Sequence, residues 1–90
     1  MLGIQQVSEF RRDVKRLIRS GKDVSKLETI VTLLVEEKVL PDHYKNHPLK
    51  GAYKGYFDCH IEPDWVMIYK IDRINSCLIL VRTGSHSQIF

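Results

Sequence analysis

The residues best suited to chemistry are four histidines, His43, His47, His60 and His86, and one aspartate, Asp64. Imidazole titrates near neutrality, so one histidine can accept a proton while another donates one. The same side chains ligate metals. All four lie in the second half of the chain. His47, His60 and His86 flank or occupy separate expected strands, and Asp64 follows the strand that carries His60. A sheet can gather such residues at one edge. Histidines scattered in this way are nevertheless more often surface or half-buried polar groups.

Two chemistries fit a cluster of three histidines and an aspartate. The first is a metal site, but the spacings match no zinc pattern such as H-E-x-x-H or C-x-x-C. His43 and His47 would share one helical face, yet Pro48 and the polar surroundings oppose a helix there. No metal and no cofactor is expected. The second chemistry is acid–base catalysis. RNA carries its own nucleophile, the 2′-hydroxyl. An enzyme has only to deprotonate it, stabilise charge on the phosphate and protonate the departing 5′-oxygen. A basic protein with several histidines suits that reaction. The chain has no G-x-S-x-G elbow, P-loop or dinucleotide fingerprint. Trp65 and Phe90 flank the histidine region. Core packing is the default for both, although the terminal Phe90 would fray unless it packs back or stacks on a base.

The elements that would position these groups follow from periodicity. Leu2–Val7 is a short β-prone piece, and Ser8 is an N-cap candidate. Phe10, Val14, Leu17 and Ile18 form one helical stripe that Gly21 ends. A second helix starts at Asp23 or at the Ser25-x-x-Glu28 capping box. It continues through Val24, Leu27, Ile30, Val31, Leu34 and Val35, and Pro41 prevents its extension. The short link implies an antiparallel helix pair. Pro41–Pro48 reads as a loop and Leu49–Lys54 as a possible short strand. In Tyr56–Glu62, residues Tyr56, Asp58, His60 and Glu62 share one face, and Phe57, Cys59 and Ile61 the other. Trp65–Ile71 and the apolar Cys77–Thr83 are further strands, the last one central, with turns at Pro63-Asp64 and Asp72–Ser76 and a tail from Ser85 to Phe90. The expected class is α+β, an antiparallel sheet covered by the helix pair.

At 90 residues there is room for one domain, residues 1–90. The hydrophobic fraction of 43% is high enough to exclude a disordered chain. No apolar stretch reaches the roughly 20 residues of a membrane span. The start, MLGIQQVSEF, lacks the basic and apolar blocks of a secretory signal, so a cytoplasmic protein without a membrane partner is expected. Two cysteines, Cys59 and Cys77, are too few for a disulfide scaffold and read as two buried thiols. The net charge is +3, but between Arg11 and Lys22 six bases, Arg11, Arg12, Lys15, Arg16, Arg19 and Lys22, stand against a single acid, Asp13. Such a stripe is a solvated helix face or a footprint for phosphates or an acidic partner.

The residues also carry a resemblance. His47-Pro48-Leu49-Lys50-Gly51, Tyr53-Lys54-Gly55-Tyr56, Asp58-Cys59-His60-Ile61-Glu62-Pro63-Asp64-Trp65, Ile68-Tyr69-Lys70, Arg82-Thr83-Gly84-Ser85-His86-Ser87 and the final Ile89-Phe90 stand in order. Together they resemble the YafQ branch of the RelE/ParE toxin superfamily over nearly the whole chain. The first forty residues match by pattern more than by motif.

The resemblance implies a β-α-α-β-β-β(-α) fold and a bacterial type II toxin. Such a toxin is an mRNA interferase that cuts translated message in the ribosomal A site and is neutralised by a cognate antitoxin. The implied partners are thus the antitoxin, the bacterial ribosome and mRNA. By motif, His47, His60, Asp64 and His86 are the implied catalytic group, with Trp65, Arg82 and Phe90 binding substrate. His86 would be the general acid, Asp64 or His47 the general base, and His60 would hold the phosphate. Arg82 would stabilise the phosphorane or hold the tail through a salt bridge. Arg11, Lys15, Arg16 and Arg19 would contact ribosomal RNA or antitoxin. His43 lies outside the motif and is expected at the surface. The competing readings are a toxin of the same fold that binds gyrase, which has no use for paired acid–base groups, and an interaction module without toxicity.

Overall fold

The computed structural model describes residues 1–90. The chain runs β1 (Gly3–Gln6), α1 (Ser8–Arg19), α2 (Ser25–Val35), β2 (His47–Pro48), β3 (Phe57–Glu62), β4 (Trp65–Asp72), β5 (Cys77–Gly84) and α3 (His86–Ile89). Single 3-10 turns occupy Asp42–Tyr44 and Gly51–Tyr53. The strands form one sheet in the order β1-β5-β4-β3-β2. The α+β class holds, and β5 is internal as its apolar sequence implies.

The expected antiparallel sheet needs one correction. β1 lies parallel to β5, Gly3 opposite Cys77 and Gln6 opposite Leu80. A parallel neighbour requires a long crossover, which the helices and the intervening strands provide. Periodicity within Leu2–Val7 carries no information about so distant a partner.

The helices cover one face of the sheet. Phe10 and Leu17 of α1 and Leu27, Ile30 and Leu34 of α2 pack with Cys59, Met67, Tyr69, Leu78 and Leu80 in the main core. Full burial of each large apolar side chain is worth roughly 1.5–3 kcal/mol, so most of the stabilisation lies on this side. The opposite face holds a smaller cluster, Val66, Ile68 and Ile89, flanked by Leu49, Tyr53, Tyr56 and Val81. That face is free to carry polar groups.

Several local readings are corrected. The N-cap position of α1 is Val7, and Ser8 already lies inside the helix. Gly21, at φ +87°, does close α1, with Lys22 N–H donating to the Leu17 carbonyl at 3.0 Å. At α2 it is Asp23 that accepts from Ser25 N–H, at 3.0 Å, and no Ser25–Glu28 box forms. Leu49–Lys54 is not a strand, because Gly51 at φ +67° turns the chain. The short strand is His47–Pro48, at the sheet edge where proline's missing N–H costs no ladder bond. Cys59 is fully buried, and burial, helped by the nearby Asp58, pushes its thiol up to about 12. Cys77 is half-exposed, since it opens β5 beside the short edge strand. No helix is long and apolar enough to cross a membrane.

Candidate active site

The site lies on the sheet face away from α1 and α2. Alternation along β3 sends Cys59 and Ile61 into the core and leaves Asp58 and His60 on the other side. The pairing of β2 with β3 sets His47 opposite Asp58, and His60 stands opposite Val66 of β4. His86 opens α3 after β5 ends. The His47 and His60 ring centroids are 6.4 Å apart, and those of His60 and His86 5.2 Å. Three of the four histidines are thus brought into a row. His43 is exposed on the Asp42–Tyr44 turn, with its ring 4.1 Å from that of Tyr44.

Asp58 lies beneath this row, and its role was not read from the sequence. It is 3% exposed, and its Oδ1 has no hydrogen-bond partner. Its Oδ2 is 3.8 Å from His47 Nε2. Ligand-type atoms of Asp58, His60 and His86 all lie within 4.8 Å of one another. Burial raises the Asp58 carboxyl above its ordinary value, against the pull of His47, His60 and His86. Its place on the His60 face of β3 was the available signal.

Hydrogen bonds orient two of the rings. His47 Nδ1 lies 2.8 Å from the Lys45 carbonyl, which accepts only from a protonated nitrogen. The lone pair is then on Nε2, facing Asp58. The Asp64 Oδ1 accepts from both the His86 backbone N–H and its Nδ1, each at 3.3 Å. His86 Nε2 is left for exchange with a substrate. Lys22 of the α1–α2 link and Lys26 of α2 grip Glu62 at 2.9 and 2.8 Å, which ties the strand end before the Asp64 turn to the start of α2.

Other expected site residues take different places. Trp65 is 1% exposed and sits on the helix side, its Nε1 donating to Thr83 Oγ1 at 2.9 Å. It has no open ring face and meets the site only through its neighbours. Phe90 is 57% exposed, edge-on to Tyr53 at 5.9 Å and 6.0 Å from the His86 ring. Tyr56 continues this aromatic wall, 5.9 Å from Tyr53, with Lys70 Nζ 5.4 Å from its ring. The sequence places Tyr53 and Tyr56 in the motif but carries no signal that they pack beside Phe90.

Arg82 reaches the site face through a bulge. Tyr69 pairs with Leu80 and Ile68 with Arg82, so Val81 is the extra residue. The bulge reverses the alternation, turning Arg82 toward the site face and Thr83 into the core. Arg82 Nε and Nη2 donate to Asp13 of α1 at 2.7 and 3.2 Å. Its ion pair is therefore to α1 and not to the tail. On α1 itself, Arg16 also binds Asp13, while Arg11, Arg12, Lys15 and Arg19 are exposed and unpaired.

The family described as the bacterial toxin of type II toxin–antitoxin systems, YafQ, matches residues 2–90. The chain is 42% identical over 88 residues to the mRNA interferase toxin YafQ of Escherichia coli K12, covering 97% of this chain and 94% of that one. A metal-bound toxin from Helicobacter pylori superposes with a TM-score of 0.95 at 41% identity, over the whole of both chains. The YafQ chain of the Escherichia coli DinJ–YafQ complex gives 0.91 at 41% identity, covering 100% of this chain and 99% of that one. These matches span the helices as well as the histidine row, and the chain belongs to the YafQ family of type II toxin–antitoxin toxins.

Proposed function

We propose that residues 1–90 form one toxin domain that acts in the cytoplasm as a ribosome-dependent endoribonuclease, cutting translated mRNA in the A site. The reading rests on one observation above all, the row His47–His60–His86 over the buried Asp58. In-line attack of a 2′-hydroxyl needs a base and an acid on opposite sides of the phosphate. A row of three imidazoles offers that arrangement. His47, with Nδ1 held by the Lys45 carbonyl, takes the 2′-hydroxyl proton on Nε2. His86 returns a proton to the 5′-oxygen. His60 sits between them against the phosphate. Asp64 orients His86, and Asp58 stabilises whichever imidazole is charged. Each proton transfer contributes typically 10²–10⁴-fold. Arg82 adds positive charge at the rim, and Phe90 with Tyr53 offers rings against which a base can pack. Trp65 supports the site from the core.

The donor set of Asp58, His60 and His86 also fits a divalent ion of the zinc or copper type, since two imidazoles and a partnerless carboxylate oxygen converge there. Such an ion, when bound, would supply charge beside the phosphate. The proton transfers proposed here share only His86 with that donor set and proceed without the ion.

The relatives support one partner assignment, an antitoxin. The Escherichia coli YafQ is solved with DinJ, and this chain is read as binding a cognate antitoxin in the same way. The unpaired cations of α1, Arg11, Lys15 and Arg19, with Arg16 beside them, are read as contacts to ribosomal RNA or to the antitoxin.

A ribosome that grips the message would supply positioning that these few residues do not. A short aromatic wall holds free RNA loosely, and misplacement by about 1 Å costs on the order of 100-fold. The test compares one transcript with and without translating ribosomes, using wild type and His86→Ala. Fast, codon-aligned cutting by wild type only when the transcript is translated is expected. Equal rates on naked and translated RNA, or full activity of His86→Ala, would overturn the reading.

A further inference from the structure

α1 buries one charged residue. Asp13 is 2% exposed on the stripe that also buries Phe10 and Leu17. Nothing in the proton transfers above requires it. Its surroundings are those of a clamp. Oδ2 accepts from Arg82 Nε at 2.7 Å and from the Thr83 backbone N–H at 3.1 Å. Oδ1 accepts from Arg82 Nη2 and Arg16 Nη2.

The sheet explains why a carboxylate stands there. β1 ends at Gln6, opposite Leu80, and the Val81 bulge follows. From Arg82 onward β5 has no strand on its outer side, so the Thr83 N–H would be a buried donor without a ladder partner. Such an orphan donor is costly to bury. Asp13 fills the place of the missing strand. Thr83 is also held from the core, its Oγ1 accepting from Trp65 and donating to the Val66 carbonyl at 2.9 Å. Thr83 is therefore the last fixed point before Gly84, Ser85 and His86. Gly84, at φ +153°, is packed so closely that an added Cβ would lie 2.7 Å from Gln88 Oε1. Little slack separates the clamp from His86.

Building on the proposed cleavage, we infer that Asp13 is a positioning residue of the reaction. By fixing Arg82 and the end of β5 it sets the place of the His86 imidazole relative to Asp64 and His60. It touches neither substrate nor reacting atoms.

The test uses the full chain with translating ribosomes and a defined transcript. Asp13→Asn keeps the side-chain size but removes the charge that holds Arg82 and puts an amide donor against other donors. It should lower kcat about ten- to a hundredfold while KM for ribosomes stays within about twofold, since displacing the acid by about 1 Å costs on the order of 100-fold. Asp13→Asn combined with Arg82→Gln should be no worse than the poorer single variant, as expected of residues that act as one unit. In parallel, the His86 imidazole signals of folded Asp13→Asn should move in NMR spectra, and those of His43 should not. If Asp13→Asn does not fold, Arg82→Lys, which keeps the charge but loses the two-point hold, is read in the same way.

An unchanged kcat, or unmoved His86 signals, in a folded variant would overturn the inference. So would activity that falls only in proportion to the folded fraction. A wild-type protein that fails to cut at all would overturn the proposed function instead, and the NMR arm would still decide the role of Asp13.

Discussion

Asp64 holds His86 at two points, accepting from its backbone N–H and its Nδ1 through a single carboxylate oxygen. The backbone contact fixes where α3 begins. The ring contact fixes the tautomer and leaves Nε2 outward. The two residues come from separate turns, one after β3 and one after β5. Asp64→Asn keeps one acceptor oxygen but removes the charge that favours the imidazolium. Cleavage by Asp64→Asn is expected to drop by about 100-fold or more, within the usual range for losing a positioned proton donor. Single-turnover rates on programmed ribosomes would measure it. Undiminished chemistry would remove Asp64 from the site.

Two buried aspartates should respond to pH in opposite senses. For Asp58 burial raises the folded-state value, so its ionised form opposes folding. The stability it permits is present below the unfolded value and lost as pH rises through the raised one. For Asp13 burial also acts upward, but hydrogen bonds from Arg82 and Thr83 and the charges of Arg82 and Arg16 outweigh it. Its stabilisation is present above the ordinary 3.8 and lost as pH falls through the lowered value. At pH 7, Asp58→Asn should gain stability on the order of 1 kcal/mol, while Asp13→Asn should lose about 3 kcal/mol by breaking a buried pair. Both differences should shrink in acid, that of Asp13→Asn only below 3.8. Denaturant unfolding at a series of pH values would check both signs.

The cations of α1 give a prediction about salt. Each phosphate neutralised by Arg11, Lys15 or Arg19 should contribute about −0.7 to −0.9 to the slope of log affinity for ribosomes against log salt. Reversing Lys15 and Arg19 to glutamate should flatten the slope by roughly that amount per site and leave thermal unfolding almost unchanged, because both side chains are exposed. An unaltered slope would make the stripe a solvated face only.

Competition should reveal how metal and catalysis share the histidine row. A chelator selective for zinc and copper, leaving ribosomal magnesium in place, should not change the rate. Added zinc or copper should slow cleavage several-fold by occupying lone pairs of Asp58, His60 and His86. Loss of activity on chelation with recovery on adding zinc would contradict metal-free proton transfer.

Much of this arrangement was legible in the sequence. The stripe of α1, the alternation of β3 and the apolar run of β5 each reflect one local period, and the period decided which face each residue takes. The gathering of His47, His60 and His86 came from motif order and the expected hairpins. Relations between distant segments were not legible. Nothing in Gly3–Gln6 announces a parallel pairing with β5. Asp13 looked like one acid among six bases, because its partner lies 69 residues away and faces it only through a bulge. Asp58 shared the His60 face, yet alternation does not say how deeply a side chain is buried. Trp65 was weighed for stacking on type and neighbourhood, while its side of the sheet seals it into the core.

The most direct test of the central claim is the chemical nature of the cut. Attack by the 2′-hydroxyl leaves the upstream fragment with a 2′,3′-cyclic phosphate or, after opening, a 3′-phosphate. The downstream fragment then begins with a 5′-hydroxyl. Fragments from a translated transcript, treated with phosphatase or kinase before ligation and sequencing, would show which ends are present. The proposed proton transfers predict phosphate on the upstream end and hydroxyl on the downstream end. An upstream 3′-hydroxyl with a downstream 5′-phosphate would contradict them, because water and not the RNA would then have been the nucleophile.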